Sequence, residues 1–177
     1  MKFSKHKKGL WEMKYLLFKK QKECKRINPI DESYVVKVFT PHLGRLFMEE
    51  EKKDPHILLF RLYISVLTRN KTKIYTIQDG EVILHMSYVI PPNYKYPFLG
   101  RDDLAIGPCN TVPSARGKGL YPWMLEYIIN DNKTKNFYMF IREENSASIK
   151  GVLKAGFVRS DGYIEGVGVL NRFIKVS

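Results

Sequence analysis

Thr-Val-Pro-Ser-Ala-Arg-Gly-Lys-Gly-Leu-Tyr occupies residues 111–121, and its reading decides the fold. It joins a strand-like run, Leu104 to Thr111, to a run in which Leu120, Trp123, Met124, Tyr127 and Ile128 recur at helical spacing. Pro122 suits the first turn of that helix, where a missing N–H is no loss. Gly117 and Gly119 remove side chains where a backbone must come close to a ligand, and the helix start adds unpaired N–H groups and the positive end of a dipole. The junction therefore suits an anionic pyrophosphate. It is neither a P-loop nor a dinucleotide fingerprint, because the spacing of glycines, lysine and hydroxyl residues required by those loops is absent. What it carries is Arg116, Gly119 and Tyr121 in an R-x-x-G-x-small frame, preceded by Val112 and Pro113.

A second segment lies downstream. Residues 145–157 read as a helix opened by Asn145 as cap and closed by Gly156, with Phe157 starting another strand. Together the two segments resemble the GNAT superfamily of coenzyme A-dependent N-acyltransferases. The first is similar to that family's pyrophosphate motif and the second to its Asn-x-x-Ala/Ser … Lys-x-Gly-Phe element. The paired match spans about residues 102 to 160, and the order of elements extends it to roughly 73 to 177. The resemblance implies an α/β (α+β) domain with a mixed, mostly antiparallel central sheet of about six or seven strands and helices on both faces. It also implies acetyl-CoA as co-substrate. The main chain of Asn110, Thr111 and Val112 would pair with the pantetheine arm, Arg116, Gly117, Lys118, Gly119, Leu120 and Tyr121 would hold the pyrophosphate, and Asn145 would contact the cofactor from the other side.

The remaining elements fit that order. Tyr34 to Thr40 alternates as a strand; His42 to Glu51 and Pro55 to Arg69 read as helices, although Ile57 to Leu67 also suits a buried strand. Lys73 to Gln78 and Glu81 to Ile90 flank Asp79-Gly80, a hairpin signal. Pro91, Pro92 and Pro97 break the chain into a loop, after which follow the strand to Thr111, a helix over 120–132, a strand from Phe137 to Arg142, a helix over 145–155 and two strands within 156–176.

With 177 residues, 44% of them hydrophobic, the chain can bury one full core and hardly two. Ten of its thirty Lys and Arg residues fall in the first 26 positions against Glu12 and Glu23, so eight of the formal twelve surplus positive charges sit there. Leu10, Met13, Leu17 and Cys24, with Trp11 and Phe18, approximate one apolar helical face among those lysines. Residues 1–27 are accordingly expected to be a basic amphipathic extension, either a peripheral membrane contact through 1–26, a partner-docking helix or a tail packed on its own domain, and 28–177 a single GNAT-like domain. Nucleic acid is the least favoured partner, because aromatic groups are not otherwise clustered with the charge. Two cysteines, Cys24 and Cys109, cannot build a disulfide framework, and no signal-peptide pattern or apolar run of membrane-spanning length is read, so a cytoplasmic protein is expected. His6, His42, His56 and His85 and the cysteines show no ligand spacing, so no metal is expected.

Amide-forming acyl transfer needs a deprotonated amine, stabilisation of the oxyanion and a proton for the departing thiolate. Many GNAT members place a tyrosine seven residues after the Asn as proton donor; this chain has Val152 there. Tyr121 stands where the first motif usually has Gly or Ala, either as packing or, as a candidate catalytic residue, with its hydroxyl near the cofactor. Asp103 is the candidate base, since related enzymes often carry a carboxylate on this strand; the alternative is a solvated loop end. Cys109 is either a covalent acyl carrier or simple filling. His85 and Tyr88 are candidate acceptor-pocket residues. Ile106-Gly-Pro-Cys109 followed by Arg116-Gly-Lys-Gly-Leu-Tyr-Pro122 resembles GNAT members associated with bacterial surface-polysaccharide assembly, which makes an amino sugar the preferred acceptor. Protein or RNA amines, and a coenzyme A-binding module without catalysis, remain alternatives.

Overall fold

The computed structural model describes residues 14–21, 30–49, 51, 54–132, 136–167 and 172–176. In chain order these form β1 (Lys14–Gln21), β2 (Tyr34–Phe39), α1 (Pro55–Thr68), β3 (Lys73–Asp79), β4 (Val82–Ile90), β5 (Asp103–Thr111), α2 (Leu120–Asp131), β6 (Asn136–Arg142), α3 (Ser146–Lys154), β7 (Val158–Val167) and β8 (Arg172–Val176). The strands make an eight-stranded sheet in the order β2-β3-β4-β5-β6-β1-β7-β8. Only β5 and β6 run parallel, joined by the α2 crossover; the other neighbours are antiparallel.

Alternating side chains divide the core. Phe18, Tyr75, Ile77, Phe137 and Met139 pack on one face against Leu120, Met124, Leu125, Ile128 and Ile129 of α2 and Val152 of α3. Leu17, Ile74, Ile90, Ala105 and Ile164 face the other way, with Ile64 of α1. Helices thus cover both faces, and the hairpin, the α2 and α3 helices and the flanking strands lie where the sequence places them. α1 resolves the ambiguity at 57–67 in favour of helix. Asp54 caps it, accepting from His56 N at 2.7 Å, and Pro55 occupies its first turn.

Two expectations are corrected. Over residues 14–21 the basic amphipathic helix is instead β1, lodged between β6 and β7. Leu17 and Phe18 are each 1% exposed, on opposite faces. A central strand buried on both sides reads as a continuous apolar run, which periodicity alone does not separate from a helix face. Lys20, one of the basic residues of that segment, is buried and donates to the Ala155 carbonyl at the end of α3. This stretch belongs to the sheet and not to an extension on a membrane; the remainder of 1–27 lies outside the described residues.

The second correction concerns His42 to Glu51, whose described residues, 42–49 and 51, form turns and a His42–Arg45 bridge, not a helix. Glu51 is drawn inward: both its carboxylate oxygens lie 2.5 Å from the guanidinium of Arg61, which is fully buried and also donates to Tyr88 Oη at 2.9 Å and to the Leu46 carbonyl at 2.8 Å. A helix over 42–51 would forfeit these bonds, and a buried guanidinium without them is costly.

Candidate functional site

β5 is the strand that opens the site. Its pairing with β6 covers Asp103, Leu104 and Ala105, so from Ile106 onward its β6-facing edge has no strand partner among the described residues. The cause is local. Between the pairs Val89–Ile106 and Ser87–Cys109, Gly107 and Pro108 on β5 stand opposite the single residue Tyr88 on β4. One extra residue makes a bulge, bends the strand and ends its ladder.

Past β5 a single turn of 3-10 helix, Pro113–Ala115, leads into the glycine loop. Gly117 and Gly119 have φ of +80° and +79°, and a Cβ on either would meet nothing within 4 Å, so open space adjoins both. Among the described residues no acceptor takes the main-chain N–H of Gly117, Lys118, Gly119 or Leu120. Consecutive free donors at the start of a twelve-residue helix form an anion-binding end. Arg116 is held against β5, its Nε donating to the Thr111 carbonyl at 3.2 Å.

These groups line a cleft of about 570 Å³ whose opposite wall is α3, from Asn145 through Ala147, Ser148, Lys150 and Gly151 to Lys154. Asn145 caps α3 by accepting from Ser148 N at 3.1 Å. Arg116, Lys150 and Lys154 line the cleft, and among the described residues no Asp or Glu does. Three cations, a row of unpaired N–H groups and glycine-bared backbone suit a diphosphate-like anion, and the free edge of β5 suits an extended amide-bearing chain.

The inner end of the cleft is polar but neutral. His85, 1% exposed, has Nδ1 2.7 Å from Thr111 Oγ1 and Nε2 2.8 Å from Ser87 Oγ; Ser87 Oγ lies 3.2 Å from Cys109 Sγ. Burial lowers the His85 pKa to about 4 and pushes the Cys109 thiol up to about 12. Tyr121 lies with its ring 5.8 Å from that of His85 and against Gly151, where a Cβ would come within 2.4 Å of its Cδ1. Burial holds its phenol well above the usual range.

The structure thus brings together Asn110, Thr111, Arg116, Gly117, Gly119, Leu120, Tyr121, Asn145 and His85. Lys118 is exposed and Val112 donates its N–H to the Leu84 carbonyl at 3.0 Å; neither side chain lines the cleft. Two candidates are corrected. Asp103 sits at the far end of β5, about 25 Å from Thr111 at strand rise, where it accepts from Gly100 N at 2.9 Å and Asn136 Nδ2 at 2.7 Å. It ties down a loop and is not placed to act as base. Tyr88 faces α1, bonded to Arg61 and edge-on to Phe60, on the opposite side of the sheet from His85. Lys150, Gly151 and Lys154 carry no site role in the sequence reading, although Lys154 belongs to the Lys-x-Gly-Phe element and lysines four apart after the Asn145 cap mark one helical face. Val152 is fully buried in the core between α2 and α3, so α3 offers no phenol there. Among the described residues no cluster of three His, Cys, Asp or Glu is placed to hold a metal, and no helix is long and apolar enough to cross a membrane.

No protein-family model and no curated protein matches the sequence. Solved structures do. A GNAT-family acetyltransferase from Colwellia psychrerythraea is 14% identical with a TM-score of 0.57, covering 86% of this chain and 55% of that one. A GCN5-related N-acetyltransferase from Sphaerobacter thermophilus is 10% identical with a TM-score of 0.58, covering 85% and 49%. A tandem GNAT protein from the clavulanic acid biosynthesis pathway is 12% identical with a TM-score of 0.56, covering 84% and 50%. The chain therefore spans about half the length of the structures it matches. At such identities the likeness is one of architecture, and it is specific: the fold of this chain is that of the GNAT acetyltransferases.

Proposed function

We propose that the protein transfers an acetyl group from acetyl-CoA to a primary amine. The observation that carries this reading is the cleft itself, where unpaired N–H groups of the 117–120 loop, three cations and no carboxylate meet the unpaired edge of β5. Bound there, acetyl-CoA would supply an already activated acyl group; the chain's part is to hold and orient it, exclude water and manage one proton. Arg116 and the loop N–H groups would hold the diphosphate, Lys150 and Lys154 would add attraction from α3, and the main chain of Asn110 and Thr111 would align the arm.

For the acceptor we propose an amino sugar of a polysaccharide precursor, on the strength of the sequence resemblance over residues 106–122. A second reading, a coenzyme A-binding module without catalysis, is favoured by the burial of Val152 and the lack of a carboxylate on the cleft wall. Calorimetry with acetyl-CoA, followed by thiol-release assays across amino sugars, peptides and polyamines, separates them. Binding with turnover confined to amino sugars supports the first reading. Binding without turnover on any amine supports the second, and absence of binding at millimolar acetyl-CoA overturns both.

A further inference from the structure

The cleft lacks a carboxylate base and α3 lacks a phenol, yet acetyl transfer to an amine forms a C–N bond, breaks a C–S bond and moves one proton from nitrogen to sulfur. Three side chains of the cleft wall and one behind it are arranged for that transfer. Thr111, His85, Ser87 and Cys109 are linked in series by contacts of 2.7, 2.8 and 3.2 Å across the β4–β5 ladder. Thr111, His85 and Cys109 line the cleft, whereas Ser87 does not.

The series can be bonded in two opposite senses. In one, Thr111 donates to His85 Nδ1, His85 Nε2–H donates to Ser87 and Ser87 donates to Cys109 Sγ. In the other, Cys109 donates to Ser87, Ser87 to His85 Nε2, and His85 Nδ1–H to Thr111. His85 and Ser87 each give one proton and accept one in both senses, while Thr111 and Cys109 exchange the roles of donor and acceptor at the two ends, as a hydroxyl, a neutral imidazole and a thiol each can. Passing from one sense to the other takes up a proton at one end and releases a proton at the other, while every member ends neutral. Burial, which disfavours a charged imidazole here, does not oppose such an exchange.

We propose that Thr111, His85, Ser87 and Cys109 form a proton relay between two points of the cleft, carrying the proton lost by the attacking amine to the leaving sulfur. This rests on the acetyl-transfer reading above. Ser87 is a positioning residue in the relay, since it reaches the cleft only through its neighbours.

Ser87→Ala severs the series in its middle without changing the cleft wall. The expected result is an acetyl-CoA affinity within about twofold of the parent and a kcat at least about tenfold lower, in line with the usual worth of placed proton transfer. Cys109→Ser, which keeps a hydroxyl at the end, should retain kcat within about threefold, while Cys109→Ala should match Ser87→Ala. A second readout needs no substrate. Nitrogen-15 NMR of the His85 ring should show shifts averaged between the two neutral tautomers in the parent and in Cys109→Ser, and one fixed tautomer in Ser87→Ala. Circular dichroism checks that each variant is folded. A single tautomer in the parent that Ser87→Ala leaves unchanged overturns the relay, as does undiminished kcat in Ser87→Ala with acetyl-CoA binding intact. A parent that binds no acetyl-CoA overturns the acetyl-transfer reading instead, and the relay's role with it.

Discussion

Replacing Gly151 by alanine sets two effects of known sign against each other. Gly151 lies inside α3, where alanine is favoured by about 1 kcal/mol on helix propensity alone. The added methyl, however, would stand 2.4 Å from Tyr121 Cδ1 and 2.7 Å from Cε1, against an ordinary contact of 3.4 Å or more. The ring must retreat by about 1 Å, and its other neighbours are the buried His85 ring and Met139. Overpacking of that kind costs about 1–3 kcal/mol, so Gly151→Ala should be destabilising by up to ~2 kcal/mol despite the better helix former. In a Tyr121→Ala background the obstruction is gone, and the same change should turn stabilising by about 1 kcal/mol. The two-way difference, about 1–3 kcal/mol, is the coupling between the residues and is read from a denaturant double-mutant cycle. Calorimetry on the same proteins should show weaker acetyl-CoA binding for Gly151→Ala alone, because both residues line the cleft. Should Gly151→Ala raise stability equally in both backgrounds, Tyr121 does not lie against α3 and the assignment of the cleft wall fails.

Other outcomes follow from the same geometry. His85 binds its proton more weakly folded than unfolded, pKa about 4 against 6.5, so the unfolded chain takes up more protons as pH falls. Its contribution is complete above pH 6.5 and is lost on acidification toward pH 4; linkage puts the loss at about 2 kcal/mol by pH 5, and His85→Gln should flatten the stability–pH profile there, with Tyr121, Cys109 and the cleft cations Arg116, Lys150 and Lys154 unchanged as its surroundings. Unaltered acid sensitivity in His85→Gln would count against a buried neutral imidazole. Cys109, with its thiol at about 12 rather than 9, should carry roughly a thousandfold less thiolate than a free cysteine, and alkylation in a Cys24→Ser background should be slower in proportion; reaction at the free-thiol rate would refute the raised pKa. Gly119→Ala, forced to adopt φ of +79°, should cost about 1 kcal/mol and weaken acetyl-CoA binding, whereas Lys118→Ala should change affinity less than about threefold. Calorimetry showing the reverse ranking would mean that charge and not backbone holds the anion. Glu51→Ala strands the buried Arg61 and should cost about 3–5 kcal/mol by denaturant titration, while an effect below 1 would place the pair in solvent.

The parts of the molecule that the sequence makes legible are those encoded over short spans. Asp79-Gly80 announces its hairpin, Asn145 and Gly156 bracket α3, and the glycines at 117 and 119 mark the turn into α2, because backbone conformation and capping depend on residues a few positions apart. Where the sequence misleads, the deciding contact is distant. Lys14–Gln21 becomes a central strand because β6 and β7, more than a hundred residues away, leave a slot between them. The 42–51 segment fails to become a helix because Glu51 is claimed by Arg61.

The same division holds for the chemistry. A glycine turn leading into a helix, and a second helix with its cap, are written locally, and so the cleft walls proposed to hold a diphosphate are readable from residues 111–121 and 145–157 alone. Proton handling is not. Asp103 has the chemistry of a base but lies at the wrong end of its strand, Tyr88 has a hydroxyl on the wrong face, and His85 becomes central only because the β4–β5 register sets it opposite Thr111 and Ser87 opposite Cys109. Strand register and sheet face are properties of pairing across the fold, and a shift of one residue would turn each of these side chains to the other side.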